Sequence, residues 1–210
     1  MAKTLLCQFP YFSHLVAALI DNAMNTYTRT QALELLHKHV SNPRMIAHSL
    51  ASEAVMRALA EKLGRDVEKW GLAGLLHDID IDICNNDMCR HANIGADMLL
   101  ELGFDPEIAE TIRMHNESAV SKIRTTEFEH ALAAGETITG LIFATAYVYP
   151  EKKISVVKAK SIVKRMKEKA FAASVRRESI LECELIGIPM ADFAQLSLDA
   201  LVPMEVELGF

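Results

Sequence analysis

The amino-acid sequence predicts an all-α protein, on three observations. The chain has 210 residues, of which 50% are hydrophobic and only 6% aromatic, and this balance is typical of helices rather than strands. No stretch of the sequence alternates apolar and polar residues with the period of two that a half-buried strand requires. Residues that start helices recur along the chain, and apolar residues with helical spacing follow them.

The first clear helix start is Asn42-Pro43, which joins an N-cap residue to a proline in the first turn. Apolar residues then recur with helical spacing until Gly64, a residue that commonly ends helices. Asp66 can cap the next helix, which is expected to run to His77-Asp78.

A further helix is expected to begin at Arg90 and to carry His91 in its first turn. Asp105-Pro106 repeats the signal of a cap followed by proline, before a helix that ends at His115. The most apolar helix is expected over residues 127–148, stopped by Pro150. Three more helices are predicted: a basic one from Ser155 to about residue 169, one at residues 176–186, and one from residue 189 onward.

The predicted domain organisation is one helical domain at residues 29–210, on which residues 1–28 pack as a helical appendage. Neither apolar run is expected to cross a membrane, because polar residues interrupt residues 5–20 and Glu136 lies inside residues 131–149. The four cysteines form no C-x-x-C pair, which predicts reduced thiols and a cytoplasmic location. Cys84 and Cys89 lie near the candidate site described below, which leaves a redox or soft-metal role open.

The strongest chemical signal is His77-Asp78, directly after the apolar pair Leu75-Leu76. Burying an imidazole and a carboxylate without partners costs several kcal/mol, and a divalent cation removes that cost by accepting nitrogen and oxygen ligands. A plain hydrogen bond between the two side chains at a helix end is the alternative. That alternative weakens because four more predicted helices each carry one further candidate: His48, His91, His115 and Glu136.

Taken in order, these residues resemble the HD-domain superfamily of metal-dependent phosphohydrolases, and in particular small bacterial members with an HDIG-like signature. The resemblance covers about residues 30–205. The matching positions are His48, residues 75–80 (LLHDID), Arg90-His91, residues 114–117 (MHNE) and, in the tail, residues 139–142, 152–154 and 169–173.

The resemblance implies a helical bundle around a buried metal site. The family's minimal ligands fall on His48, His77, Asp78 and position 136, and members with two metals add two histidines, which fall on His91 and His115. Position 136 is Glu where the family usually has Asp, so this longer carboxylate can either ligate or withdraw and leave a mononuclear site. With one metal, His91 and His115 would contact the substrate instead. Asp80, where the signature often has Gly, is expected to support the site or face solvent rather than to ligate.

The implied activity is hydrolysis of a phosphoester, such as a nucleotide or another small phosphate ester. Two divalent transition-metal ions (iron, manganese or nickel) bridged by Asp78 would activate a hydroxide that attacks phosphorus, with His77 and Asp78 as the catalytic centre. Arg113 and Lys158 are the candidates for binding the substrate phosphate. Asp82 and Glu117 are candidate acids for orienting the histidines.

Two other functions remain open at this point. Relatives with two iron ions include oxygenases, which oxygen consumption would distinguish from phosphate release. A regulatory module that keeps the metal without turnover is the second, and Glu136 is the feature that favours it. The expected partner is a small phosphorylated substrate, with homo-oligomers open. Nucleic acid and membrane are not expected partners, because the net charge is -6 and aromatic residues for stacking bases are scarce.

Overall fold

The computed structural model describes residues 27–85, 87–117 and 119–210, and the regular elements found there are all helical. The all-α prediction is therefore confirmed. The predicted appendage lies almost wholly outside the described residues. The α-helices are α1 (Arg29–His39), α2 (Pro43–Leu63), α3 (Val67–Leu76), α4 (Asn93–Glu101), α5 (Pro106–His115), α6 (Glu127–Tyr147), α7 (Ala159–Met166), α8 (Arg177–Leu181) and α9 (Met190–Leu201), with 3-10 turns at Ile154–Val156, Glu182–Glu184 and Val202–Met204.

Helix ends follow the capping signals in the sequence. The side chain of Asn42 accepts a hydrogen bond from the Arg44 amide, and Gly64 ends α2 with a left-handed φ of 66°. Asp66 caps α3 and Asp105 caps α5 in the same way, each by accepting from a backbone amide in the first turn. Short-range capping therefore fixes where the helices that carry the site begin.

The core forms where α2 packs between α3 and α6. Gly74 lets α3 approach α2 closely, because a Cβ atom there would lie 2.6 Å from the Ser52 carbonyl oxygen. Trp70 on α3 stacks on Phe128 of α6 with ring centroids 5.0 Å apart. One hydrophobic cluster continues from Ala32 to Leu208, and each fully buried large aliphatic side chain in it contributes roughly 1.5–3 kcal/mol.

Two helix predictions are wrong at their starts. The helix expected from Arg90 begins at Asn93, because Ala92 has a φ of 72° and breaks the helical path, so His91 lies in a turn before α4. The helix expected from Ser155 begins at Ala159, after a 3-10 turn. The Ser155 hydroxyl is bonded to Glu205 rather than capping a helix.

The apolar helix α6 carries Glu136 in its middle and begins with a capping box between Thr126 and Glu129. No helix in the described part of the chain combines the length and hydropathy needed to cross a bilayer.

Candidate metal centre

Five helices or helix ends deliver the candidate residues to one place. His48 lies in the second turn of α2, and His77 with Asp78 follows the last residue of α3. His91 precedes α4, while His115 is the last residue of α5. These residues and Glu136 of α6 meet at the base of one cavity.

The four histidines face one another in two pairs. The Nε2 atoms of His48 and His77 lie 3.1 Å apart. The Nε2 atoms of His91 and His115 are also 3.1 Å apart. Both pairs therefore point their inner ring nitrogens at a common centre.

Asp78 lies between the two pairs and turns one oxygen towards each. Its Oδ2 atom is 3.4 Å from Nε2 of His77 and 3.7 Å from Nε2 of His48. Its Oδ1 atom is 3.1 Å from Nε2 of His91 and 3.5 Å from Nε2 of His115. We call His48, His77 and Asp78 Oδ2 the first donor set, and His91, His115 and Asp78 Oδ1 the second donor set.

The outer ring nitrogens of three histidines are bonded to acceptors. His77 Nδ1 lies 2.8 Å from the Gly74 carbonyl oxygen, and His115 Nδ1 lies 2.6 Å from that of Ile112. His91 Nδ1 lies 2.7 Å from Oδ1 of Asp80. Because a carbonyl or carboxylate oxygen only accepts, each Nδ1 carries the proton that it donates.

His48 reaches the same state through a hydroxyl group. Its Nδ1 atom lies 2.8 Å from Oγ1 of Thr139, and that hydroxyl donates its own proton to the Glu136 carbonyl oxygen at 2.7 Å. The Thr139 oxygen must therefore accept from His48. In its neutral form, each of the four rings therefore presents an unprotonated Nε2 to the centre.

This arrangement of donors fits a cation in each set. Two lone pairs 3.1 Å apart repel each other unless a proton or a metal ion lies between them. Metal–nitrogen bonds of roughly 2.0–2.1 Å place neighbouring ligands about 3 Å apart. Both sets match this spacing, and their outer nitrogens have the hydrogen bonds that orient metal-binding histidines in proteins.

Burial and neighbouring charges shift the pKa values of these groups. Burial lowers the pKa of His48 to about 4, and the neighbouring His77 adds to the effect. Burial also opposes charge on His91, but hydrogen bonds to Asp78 and Asp80 raise its pKa to about 10. The pKa of Asp78 lies well below its ordinary value, because the histidines around it outweigh the effect of its burial. The centre therefore holds a carboxylate anion among basic nitrogens.

Glu136 lies at the edge of the first donor set. Its Oε2 atom is 3.8 Å from Nε2 of His48, and its other oxygen accepts a hydrogen bond from the Thr137 hydroxyl. Burial raises the pKa of Glu136. The longer side chain thus still faces the centre from the position that the sequence analysis assigned to it.

The cavity above the centre has a volume of about 440 Å³. Arg176 lines it and is half exposed, with its guanidinium paired to the Glu117 carboxylate. Side chains that also line the cavity include Met45, Met88, Asn116 and Val175. The described lining of the cavity therefore combines apolar side chains with the Arg176 cation.

The structure does not bring the predicted phosphate-binding residues to this cavity. Arg113 is engaged by Asp97 and Glu110 beside α4 and α5, and Lys158 is exposed at the start of α7. Neither side chain is among the described residues that line the cavity, so a role for them in binding phosphate stays a prediction. Arg176 lines the cavity instead. In the sequence it is the first residue of an Arg-Arg pair before a predicted helix, which is not a signal for a binding site.

The two acids that were expected to orient the histidines have other partners. Asp82 accepts from the amide and hydroxyl of Ser41, and Glu117 binds Arg124 and Arg176. Neither contacts a histidine of the centre in the hydrogen bonds of the described residues. Asp80 contacts His91 instead and is buried rather than facing solvent, while its exclusion from the ligands stays a prediction.

Arg124 is a supporting residue that the sequence analysis missed. Its guanidinium is almost fully buried, donates to the Met114 carbonyl oxygen at 2.9 Å, and pairs with Glu182 and Glu117. It therefore fixes the end of α5 beside His115. Arg124 lies in an irregular segment, and its partner Glu182 is distant in the sequence. No local sequence pattern therefore indicated its role.

The two cysteines near the centre differ in exposure. Cys84 is buried, and burial together with the Asp80 carboxylate raises the pKa of its thiol to about 11. Cys89 is exposed. Asp80, Cys84 and His91 form a third group of close candidate donors. However, the His91 nitrogen that faces this group already donates to Asp80.

Comparison with known proteins gives one family and a set of partial relatives. The profile described as HD domain matches residues 45–158. The chain is similar to Ribonuclease Y of Mycoplasma mycoides, with 34% identity over 95 residues, which cover 45% of this chain and 22% of that protein. Ribonuclease Y of Nitratidesulfovibrio vulgaris (strain DP4) is 31% identical over 107 residues, or 51% of this chain and 20% of the relative.

A third relative is Ribonuclease Y of Fervidobacterium nodosum, with 36% identity over 72 residues, which cover 34% of this chain and 14% of that protein. The chain thus spans about a fifth or less of the length of the curated relatives described here. No solved structure matches the chain.

Proposed function

The chain belongs to the HD-domain family, and from this premise we propose that it is a metal-dependent phosphohydrolase that cleaves a small phosphoester. One observation carries the proposal. Four histidines held with Nδ1 protonated turn their bare Nε2 atoms in two pairs towards the two oxygens of Asp78. Such a centre suits two divalent ions, because the rings in their neutral form oppose their lone pairs and the oxygens of Asp78 only accept.

Each donor set would hold one ion. Glu136 would complete the first set, since its 3.8 Å distance from His48 Nε2 is compatible with two ligands on one ion whose bonds are about 2.0–2.2 Å long. Nitrogen-rich sets with a carboxylate favour iron, manganese or nickel over magnesium or calcium. Asp78 would be shared by both ions.

Bound ions of this kind lower the pKa of a coordinated water towards neutrality and offset charge on phosphoryl oxygens. The chain's own residues would do the rest. Arg176 would turn from Glu117 to the substrate phosphate, a small change because an exposed pair of this kind contributes little stability. Met45, Met88 and Val175 would keep bulk water away from one side of the substrate.

The cavity supports a substrate of small-molecule size. Its volume of about 440 Å³ lies within the range of roughly 300–1,000 Å³ typical of small-molecule sites. The net charge of -6 gives the whole chain no attraction for nucleic acid. The relatives are named ribonucleases, so RNA is the comparison substrate in any test of this proposal.

Three further expectations belong to the proposal. The hydrophobic cluster from Ala32 to Leu208 supports one domain at residues 29–210, with residues 1–28 as an appendage. We place the protein in the cytoplasm, without a nucleic-acid or membrane partner. Assembly into homo-oligomers is compatible with all of this.

The experiment compares His77→Ala with His37→Ala, an exposed histidine on α1 that serves as the matched control. Protein purified without chelators is assayed for metal by elemental analysis, and for phosphate release from nucleotides, cyclic nucleotides and simple phosphate esters. We expect about two equivalents of metal and turnover in the wild type and in His37→Ala, and in His77→Ala the loss of turnover and of the ion in the first donor set.

Other results would identify the competing functions. Oxygen consumption by an iron-loaded protein that releases no phosphate would indicate an oxygenase. Metal retained without turnover of any substrate would indicate a regulatory module, and cleavage of RNA alone would overturn the small-substrate proposal. No metal in the wild type, even after reconstitution, would refute the phosphohydrolase.

A further inference from the structure

The two donor sets are built on different kinds of backbone. In the first set, His48 lies within α2 and His77 directly follows α3, and these two helices pack closely along their length. In the second set, His115 ends α5, but His91 lies in a segment of turns between α3 and α4. The second set therefore needs something other than a helix to fix His91.

Asp80 supplies that support. Its side chain is 0% exposed, and its two oxygens have different partners. Oδ1 accepts from Nδ1 of His91 at 2.7 Å, and Oδ2 accepts from the Gly95 amide at 2.8 Å. One carboxylate thus joins the end of α3 to the histidine and to the first turn of α4, where a negative charge also suits the helix dipole.

The surroundings of Asp80 are shaped around the carboxylate. A Cβ atom at position 95 would lie 3.2 Å from Cγ of Asp80, so glycine there allows α4 to approach closely. The Cys84 amide bonds to the Asp80 carbonyl oxygen at 2.8 Å, and the Cys84 thiol donates to the carboxylate. The segment that carries His91 is therefore fastened to Asp80 at several points.

We propose that Asp80 is a positioning residue that makes the second donor set a metal site, so that the protein binds two ions with Asp80 and one without it. The inference rests on the metal centre of the proposed function. His91 is the histidine of the centre whose outer nitrogen donates to a carboxylate, whereas His77 and His115 donate to carbonyl oxygens and His48 to a hydroxyl. A charged acceptor both fixes the ring and makes its Nε2 a stronger donor to a metal.

The test is a titration of metal-free protein with Mn²⁺, followed by calorimetry, for the wild type, Asp80→Asn and Asp82→Asn. Asp82→Asn is the matched control. Asp82 lies two residues after Asp80, and the substitution removes the same charge, but its side chain is exposed and bonded to Ser41. In the wild type and the control we expect two binding events. In Asp80→Asn the Mn²⁺ affinity of the second donor set should fall by roughly 10–100-fold, while that of the first donor set should change by less than about threefold.

Asp80→Ala extends the test, with circular dichroism melting as a check that the variant is folded. A folded Asp80→Ala protein should bind one Mn²⁺ per chain. If it does not fold, Asp80→Asn decides alone, because asparagine keeps the shape and one acceptor oxygen. Elemental analysis of protein purified without chelators gives an independent count of ions in each variant.

Equal Mn²⁺ affinities in the wild type and Asp80→Asn would overturn the inference and leave the phosphohydrolase proposal standing. One binding event in the wild type would overturn it as well, and would still allow a hydrolase with a mononuclear site. Absence of any Mn²⁺ binding would overturn the inference and the proposed metal centre together.

Discussion

Replacing Gly74 by alanine tests whether close packing of α2 and α3 sets the spacing of the first donor set. The added Cβ atom would lie 2.6 Å from the Ser52 carbonyl oxygen and 2.9 Å from the Glu53 Cα atom, both of them backbone atoms. Ordinary contact begins near 3.4 Å, so α3 must retreat from α2 by roughly 0.8 Å. Crowding of this kind costs about 1–3 kcal/mol, against a helix-propensity gain of up to about 1 kcal/mol.

We therefore expect Gly74→Ala to lower the free energy of unfolding of the metal-free protein by about 1–2 kcal/mol, measured by urea denaturation. Because His77 lies one turn after Gly74, the same retreat should widen its 3.1 Å separation from His48 and weaken metal binding to the first donor set. Gly71→Ala is the control, since the three atoms nearest to its Cβ atom would all belong to the flexible Arg57 side chain. Equal stability and equal Mn²⁺ affinity in the two variants would refute the reasoning.

Three further predictions concern other contacts of the centre. Arg124→Met should destabilise the protein by about 1.5–3 kcal/mol in thermal melting, because the Glu182 carboxylate would keep only its contact with His130 among those described and the Met114 carbonyl would lose its arginine donor; an unchanged melting temperature, as expected for the exposed Arg65→Met, would contradict this. In the metal-free protein the raised pKa of His91, about 10, means that the second donor set holds a proton at pH 7. Metal binding should then release about one proton and strengthen as the pH rises towards 10, which calorimetry in two buffers of different ionisation enthalpy would measure; binding without proton release would contradict it. Arg176→Gln should raise the KM for a phosphoester about tenfold with a smaller change in kcat, because a charge-assisted hydrogen bond contributes roughly 1.5–3 kcal/mol. The control Arg113→Gln should leave KM unchanged. Equal KM values in the wild type and Arg176→Gln would show that Arg176 does not bind the substrate.

Local signals in the sequence predicted the starts of three capped helices correctly. Asn42, Asp66 and Asp105 cap the helices that the sequence assigned to them, because the hydrogen bonds of a cap join residues two or three positions apart. Ser155 has the same residue type as many caps, yet its hydroxyl is bonded to Glu205. A partner 50 residues away leaves no trace in the local pattern.

In the candidate site too, some residues could be predicted from the sequence and others depend on contacts between distant parts of the chain. The resemblance to a family, rather than spacing, assigned the four histidines, Asp78 and Glu136 to one centre, and the structure brings them together. Their role as ligands stays a prediction. Arg176 was not found, because it reaches the cavity only through the packing of α8 on α6. Arg113 has the right charge, but nearby acids hold it elsewhere.

The hydrogen bonds that fix the four Nδ1 protons also affect the thermodynamic stability of the fold. Since the fold holds imidazole nitrogens in opposed pairs 3.1 Å apart, a metal ion placed between them binds the folded chain far better than the unfolded one. By mass action, free metal at 100 times its dissociation constant would add about 2.7 kcal/mol to the stability of the fold. The melting temperature should therefore rise with metal concentration, and the balance between folded and unfolded chains would depend on how much metal the cell makes available.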